Sequence, residues 1–206
     1  MSEPFRFKQF NVVQEASAMK VGTDGVLLGA WVDLPQPCGS ILDAGTGTGL
    51  IALMMAQRAP QAIIDAVEID PAAAAEAKLN FGSSPWSSRL HLHTGNWNDL
   101  TDLTPDLIVS NPPFFTETLR SPDAARAVAR HEGTLSPLEL IRYACSRHLA
   151  FIAPASADDE VTFEAAMCHW HIRRKTHVAA NPAKQPMRTL WQMSRTEGST
   201  AQKRLD

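Results

Sequence analysis

Apolar positions recur along this chain in two alternating rhythms. Short apolar and β-branched runs predict strands over 40–43, 62–67, 105–110 and 149–154, and the alternation Leu90-His91-Leu92-His93-Thr94 predicts another. Helical patterns lie between them. Residues 50–58 offer Leu50, Ile51, Leu53 and Met54 for burial, and the alanine-rich stretch 71–81 opens on Pro71. Ser136-Pro137-Leu138-Glu139 spells a capping box with proline at the first helical position, which predicts a helix through about Arg147. A further helix is expected over 156–169. Upstream, Thr23 or Asp24 is expected to cap a helix that carries Val26, Leu27, Ala30 and Trp31 on one face and stops before Pro35 and Pro37. Residues 120–131 read as a charged helix. Two strand-like runs, about 171–180 and 188–196, flank the loop 181–186 with no helix between them. From Glu197 the chain is polar and is expected to fray.

Strands alternating with helices predict an α/β fold: a doubly wound, seven-stranded, mostly parallel sheet with an antiparallel C-terminal hairpin. The 206 residues suit one domain. An N-terminal arm covers about 1–22, with Phe5, Phe7 and Phe10 on a short strand or hairpin, and burial is a better expectation for them than base stacking.

Composition narrows the class. Hydrophobic residues make up 44% and charged residues 20%, as in soluble globular proteins. No apolar run reaches the roughly 18 residues of a membrane span. Met1-Ser2-Glu3-Pro4-Phe5 lacks the basic and apolar regions of a signal peptide, so a cytoplasmic protein is expected. A net charge of -3 and a pI near 6.2 argue against broad, non-specific nucleic-acid binding but leave room for a local basic patch. Cys38, Cys145 and Cys168 are scattered and have no zinc-ligand spacing. Cys168-His169-Trp170-His171 has no matching ligand cluster elsewhere, so no metal is expected. His91 and His93 share a strand face and are read as surface or packing residues.

The chemistry starts at Asp43-Ala44-Gly45-Thr46-Gly47-Thr48-Gly49-Leu50, a glycine-rich turn between a strand and a helix. Glycines at alternate positions let the backbone approach a ligand, and the helix start presents unpaired N–H groups. Such a loop alone is a weak signal. The second strand strengthens it by ending in Glu68-Ile69-Asp70, about 20 residues on, where an acid suits hydrogen bonds to a ribose diol. Glu68 is the ribose candidate, and Asp70 is also a good N-cap before Pro71. Asn96 and Trp97 follow the third strand, where an amide and an indole suit a purine, although a polar turn with a packed Trp accounts for them equally well.

The fourth strand ends in Asn111-Pro112-Pro113-Phe114. Asn111 precedes proline and is pushed away from helix, and neither proline carries an N–H. The turn is stiff, and it offers the Asn111 side-chain oxygen and the Pro112 carbonyl as converging acceptors for an exocyclic amine. Phe114 is placed to stack on a base.

These motifs resemble those of S-adenosylmethionine-dependent class I methyltransferases, whose first motif has an acid two residues before the first glycine. Asn111-Pro112-Pro113-Phe114 is similar to the motif of amino-group methyltransferases. Phe7-Lys8-Gln9-Phe10 and the block from Ala18-Met19-Lys20-Val21-Gly22-Thr23-Asp24-Gly25 to Trp31 resemble the N-terminal signature of the bacterial family that methylates N6 of adenine 37 in valine tRNA. That resemblance implies a Rossmann-like fold, S-adenosylmethionine as cofactor and tRNA as partner. It implies that Lys20, Thr23 and Asp24 lie near the cofactor's methionine end. It further implies that Asp43, Gly45, Thr46, Gly47, Gly49, Leu50, Glu68, Ile69, Asp70, Asn96, Trp97 and Asn111 line the cofactor pocket. Arg126, Arg130 and the run Arg173-Arg174-Lys175 are candidates for phosphate contacts, or else a solvated face. The alternatives are an rRNA guanine N2 or protein glutamine-amide acceptor, or a non-catalytic module of the same fold.

Overall fold

The computed structural model describes residues 3–15, 20–100, 102–113 and 135–206. The helix expected over 120–131, with Arg126 and Arg130, and the candidate ring Phe114 lie outside the described residues, as do Ala18 and Met19.

In the arm, β1 (Phe5–Arg6) and β2 (Asn11–Val12) pair as an antiparallel hairpin. Then follow α1 (Thr23–Trp31), β3 (Ser40–Ala44), α2 (Leu50–Arg58), β4 (Ile63–Glu68), α3 (Pro71–Gly82), β5 (Leu90–Thr94) and β6 (Leu107–Ser110). The C-terminal part holds α4 (Pro137–Tyr143), β7 (His148–Pro154), α5 (Asp158–Met167), β8 (His171–Val178), β9 (Arg188–Ser194) and β10 (Ala201–Leu205). The main sheet has the order β10-β8-β9-β7-β6-β3-β4-β5. Strands β7, β6, β3, β4 and β5 are mutually parallel, and β9 runs antiparallel to both β7 and β8. The expected doubly wound arrangement and closing hairpin are therefore present.

The strands at the centre bury both faces, which is why they read as unbroken apolar runs. Ile41, Ile64, Leu107 and Val109 point into one core with Leu28, Leu53 and Met55 of α1 and α2. Leu42, Val67 and Ile108 point into the other with Leu140 of α4 and Val161 of α5. The arm belongs to the first core: Phe10 and Val12 are buried, and Phe7 stacks on Phe10 with ring centroids 4.5 Å apart.

Four expectations need correction. The sheet has eight strands, because the residues expected to fray supply β10. It pairs in parallel with β8, from Ala201 opposite Arg174 to Leu205 opposite Val178. Backbone groups along the edge of β8 gain partners whatever side chains β10 carries, so hydropathy gave no sign of it. Neither Thr23 nor Asp24 caps α1, since its N-cap is Gly22 and no side chain caps it. The buried face of α1 is Gly25, Leu28, Gly29 and Trp31, with Ala30 exposed. A Cβ at Gly29 would lie 2.5 Å from Met54 Sδ, so the glycines bring α1 close onto α2. Finally, α4 ends at Tyr143, and Arg147 beyond it pairs with Asp106.

Candidate active site

The sheet changes winding direction between β3 and β6. Chain order runs outward from β3 to β4 and β5 on one side, and from β6 to β7 on the other. In such sheets, ligands bind in the crevice at the carboxyl ends of the strands beside this switch point. The glycine loop leaves the tip of β3 and Asn111 leaves the tip of β6. Asp43 stands opposite Val109 in the parallel ladder, and Ser110 Oγ donates to Ala44 O at 2.7 Å. The glycine turn and the proline turn are thus on one edge, on neighbouring strands.

The loop keeps its shape through an internal network. Gly45, Gly47 and Gly49 have φ of 69°, 56° and 85°. These are left-handed conformations that other residues adopt at a cost. Two of the glycines are also closely packed by side chains. A Cβ at Gly45 would lie 2.4 Å from Leu135 Cδ2, and one at Gly49 would lie 2.5 Å from Phe81 Cε1. The N–H groups of Gly45 and Thr46 donate to Val67 O at 3.0 and 2.9 Å, which stitches the loop to the tip of β4.

Asp43 lies beneath this loop and is 1% exposed. Its Oδ2 accepts from Thr46 Oγ1 at 2.6 Å and from Ala52 N at 2.9 Å, while its Oδ1 is buried without a partner among the described residues. Burial pushes its carboxyl from the ordinary 3.8 up to about 7; the Thr46 and Ala52 hydrogen bonds oppose this, and the charge of Glu68 adds to it. Asp43 anchors loop to helix from the inside.

Glu68 sits at the tip of β4. Its Oε2 accepts from Gly47 N at 2.8 Å and its Oε1 from Asp70 N at 2.9 Å. A carboxylate offers about four lone-pair directions, so two remain for a ligand. Asp70 caps α3, accepting from Ala72 N at 2.7 Å and Ala73 N at 3.4 Å. Ile69 between them is 65% exposed. Beyond β5, Gly95 N donates to Glu68 O at 2.9 Å, which brings Asn96 and Trp97 beside the tip of β4. Asn96 Oδ1 accepts from Asn98 N at 3.0 Å, and Trp97 is buried with no partner for its Nε1 among the described residues. Thr46 and Leu50 are buried in the loop and at the helix start.

At the tip of β6, Asn111 Oδ1 is buried and has no hydrogen-bond partner among the described residues. Pro112 is buried and Pro113 half-buried. Of the residues expected near the methionine end, Lys20 and Thr23 are exposed. Asp24 accepts from Arg188 Nε at 2.8 Å. Arg188 opens β9 opposite Pro154, the last residue of β7, so this ion pair stands on the same carboxyl edge.

The basic run lies along β8, where alternate side chains face opposite ways. Arg174 donates to Trp31 O at 2.7 Å, pairs with Asp33 and covers the Trp31 ring at 4.4 Å. Lys175 pairs with Asp158 at 2.9 Å and lies 4.3 Å over Trp191. Arg173 lies against Gly198. The three do not project as one patch. Among the described residues there is no group of three or more potential metal ligands, and His91 and His93 both face Asp65. No helix among the described residues is long and apolar enough to cross a membrane.

Sequence reasoning missed two polar residues of this region. One is Arg188, which left no local signal. The other is Asn80, whose helical spacing from Ala73 and Ala77 put it on the inward face of α3. A buried amide needs partners, and that spacing was the available sign.

A glycine loop, an acid at the second strand tip and an Asn-Pro-Pro turn at one switch point define a methyltransferase-type Rossmann site. The model of the methyltransferase small domain matches residues 17–135. Among solved structures, a predicted O-methyltransferase from Agrobacterium tumefaciens is similar in fold, with a TM-score of 0.65 and 14% identity over 88% of this chain and 86% of that one. The human methyltransferase 10 domain containing protein reaches 0.61 with 16% identity over 91% and 90%. A curated tRNA1(Val) (adenine(37)-N6)-methyltransferase of Porphyromonas gingivalis is 45% identical over 90% of this chain and 78% of its own length. One of Yersinia enterocolitica is 39% identical over 98% and 84%. The chain belongs to the methyltransferase small-domain family, in the group of the tRNA1(Val) (adenine(37)-N6)-methyltransferases.

Proposed function

We propose that this protein transfers a methyl group from S-adenosylmethionine to the exocyclic N6 of adenine 37, next to the anticodon of valine tRNA, in the cytoplasm. The observation that carries the reading is Asn111: a buried side-chain oxygen, unpartnered among the described residues, on an N–H-free corner one strand away from the glycine loop. Such an orphan acceptor is costly unless a ligand pairs with it. The donor set fits the cofactor. Glu68 keeps lone pairs for a ribose diol, Trp97 Nε1 lacks an acceptor among the described residues, and the Asp24–Arg188 pair brings charge to the same edge.

S-adenosylmethionine, when bound, supplies a methyl group on a positively charged sulfur. The protein's task is then to hold the amine. Asn111 Oδ1 and the Pro112 carbonyl accept its two hydrogens, which raises electron density on a nitrogen otherwise delocalised into the purine ring. Phe114, next in the chain, is the proposed stacking ring. The nitrogen gives up its proton to water only after it becomes cationic, so no general base is needed. Catalysis is positioning and electrostatic preorganisation. Arg126, Arg130 and Arg173 are the proposed phosphate contacts.

The test is a methyl-transfer assay with labelled cofactor and three acceptors: unmodified tRNA, rRNA, and a release-factor peptide. Label should enter tRNA, and nucleoside analysis should return N6-methyladenosine at position 37. Label on the peptide or the rRNA alone would overturn the substrate assignment, and label on none of them the enzymatic one.

A further inference from the structure

Asn80 is only 2% exposed and is hydrogen-bonded in three directions. Its Oδ1 accepts from Val13 N at 2.8 Å, and its Nδ2 donates to Val13 O at 2.9 Å and to Thr48 O at 2.8 Å. Thr48 is the residue between Gly47 and Gly49. One amide therefore grips both the arm and the glycine loop. The neighbouring contacts reinforce the arrangement. Phe81 packs beneath Gly49, and Glu15 N donates to Glu76, one turn before Asn80 on α3. Val21 N donates to Gln14 Oε1 at 2.8 Å, which ties the arm to the residue just before Gly22, the N-cap of α1.

We infer that Asn80 is a positioning residue for the cofactor site, coupling the docking of residues 11–15 to the shape of the loop at Thr48. This rests on the reading of that loop as the S-adenosylmethionine site. Without Asn80, the Thr48 carbonyl lies between two left-handed glycines and loses its hold on α3. A loop that adopts its binding shape only part of the time binds more weakly by that fraction. The coupling is reciprocal: a ligand that holds the loop must also hold the arm.

The test uses the whole chain, with S-adenosylhomocysteine as the probe. Calorimetry gives its affinity, and hydrogen exchange follows residues 11–15 with and without it. In the wild-type protein the probe should slow exchange over 11–15. In Asn80→Ala its affinity should fall about tenfold, the scale of one lost buried hydrogen bond, and exchange over 11–15 should no longer respond to it. The KM for cofactor should rise more than kcat falls. Asn80→Ser, a smaller polar change, serves if the alanine protein does not fold, with the same two effects expected. A wild-type protein that does not bind the probe would overturn the cofactor reading and this coupling together. Wild-type binding with no change in exchange over 11–15, or an Asn80 variant with full affinity and a full exchange response, would overturn the coupling alone.

Discussion

At the tips of β3 and β4 each acidic side chain already has protein partners, although Asp43 Oδ1 finds none among the described residues. Asp43 holds Thr46 and Ala52, Glu68 holds Gly47 and Asp70, and Asp70 caps its own helix. At the tip of β6, one strand away, Asn111 keeps a buried oxygen that none of the described residues satisfies. The first region is built before any ligand arrives, so its side chains serve folding and binding together. The second keeps hydrogen-bonding capacity in reserve at the mouth of the crevice, where a ligand or a reacting group can meet it. Mutations in the two regions should therefore separate binding from rate.

The largest effect is expected at the unsatisfied tip. Asn111→Ala should lower kcat by about two to three orders of magnitude, roughly 2–4 kcal/mol of transition-state stabilisation. The affinity for S-adenosylhomocysteine should change far less, and so should the melting temperature, because the Asn111 oxygen gives up no bond to the described protein. Steady-state kinetics and calorimetry on one preparation would show the split. A variant with full kcat would mean that the corner does not act on the amine.

The satisfied region should answer in the opposite sense. Glu68→Ala leaves Gly47 N and Asp70 N without their acceptor and removes the ribose candidate. Cofactor affinity should weaken by about 1–3 kcal/mol, the scale for lost hydrogen bonds to a charged group. At saturating cofactor kcat should stay within a few-fold of wild type. If calorimetry finds the affinity unchanged, the nucleoside does not sit across β4.

What could be read from the residues follows the same division. The glycine loop, Glu68, the Asp70 cap and the Asn-Pro-Pro corner are local motifs, and each lies within a few positions of the element that carries it. The parallel order of the strands followed from their alternation with helices. The contacts that were not legible join distant segments. Arg188 meets Asp24, Asn80 joins Val13 to Thr48, and Arg174 covers Trp31. A run such as Arg173-Arg174-Lys175 looks like a patch until strand pleating splits it between two faces. β10 was invisible for a different reason: a backbone edge recruits it, and none of its five residues is buried.

The smallest effect, and the one that tells the two roles of an acid apart, should come from pH at Asp43. Its folded carboxyl titrates near 7 because burial penalises the charge, against an ordinary 3.8. Between these values the unfolded chain has released its proton while the folded protein still holds it. Stability should therefore fall as pH rises through this window and level off above it. The Asp43→Asn protein carries an amide there, which is close in shape to the neutral acid and can still accept from Thr46 and Ala52, but cannot ionise. Urea unfolding at pH 5 and pH 8 should show the variant gaining on wild type by on the order of 1–2 kcal/mol at the higher pH. Parallel pH profiles for the two proteins would mean that Asp43 ionises under the loop as readily as it does in the unfolded chain.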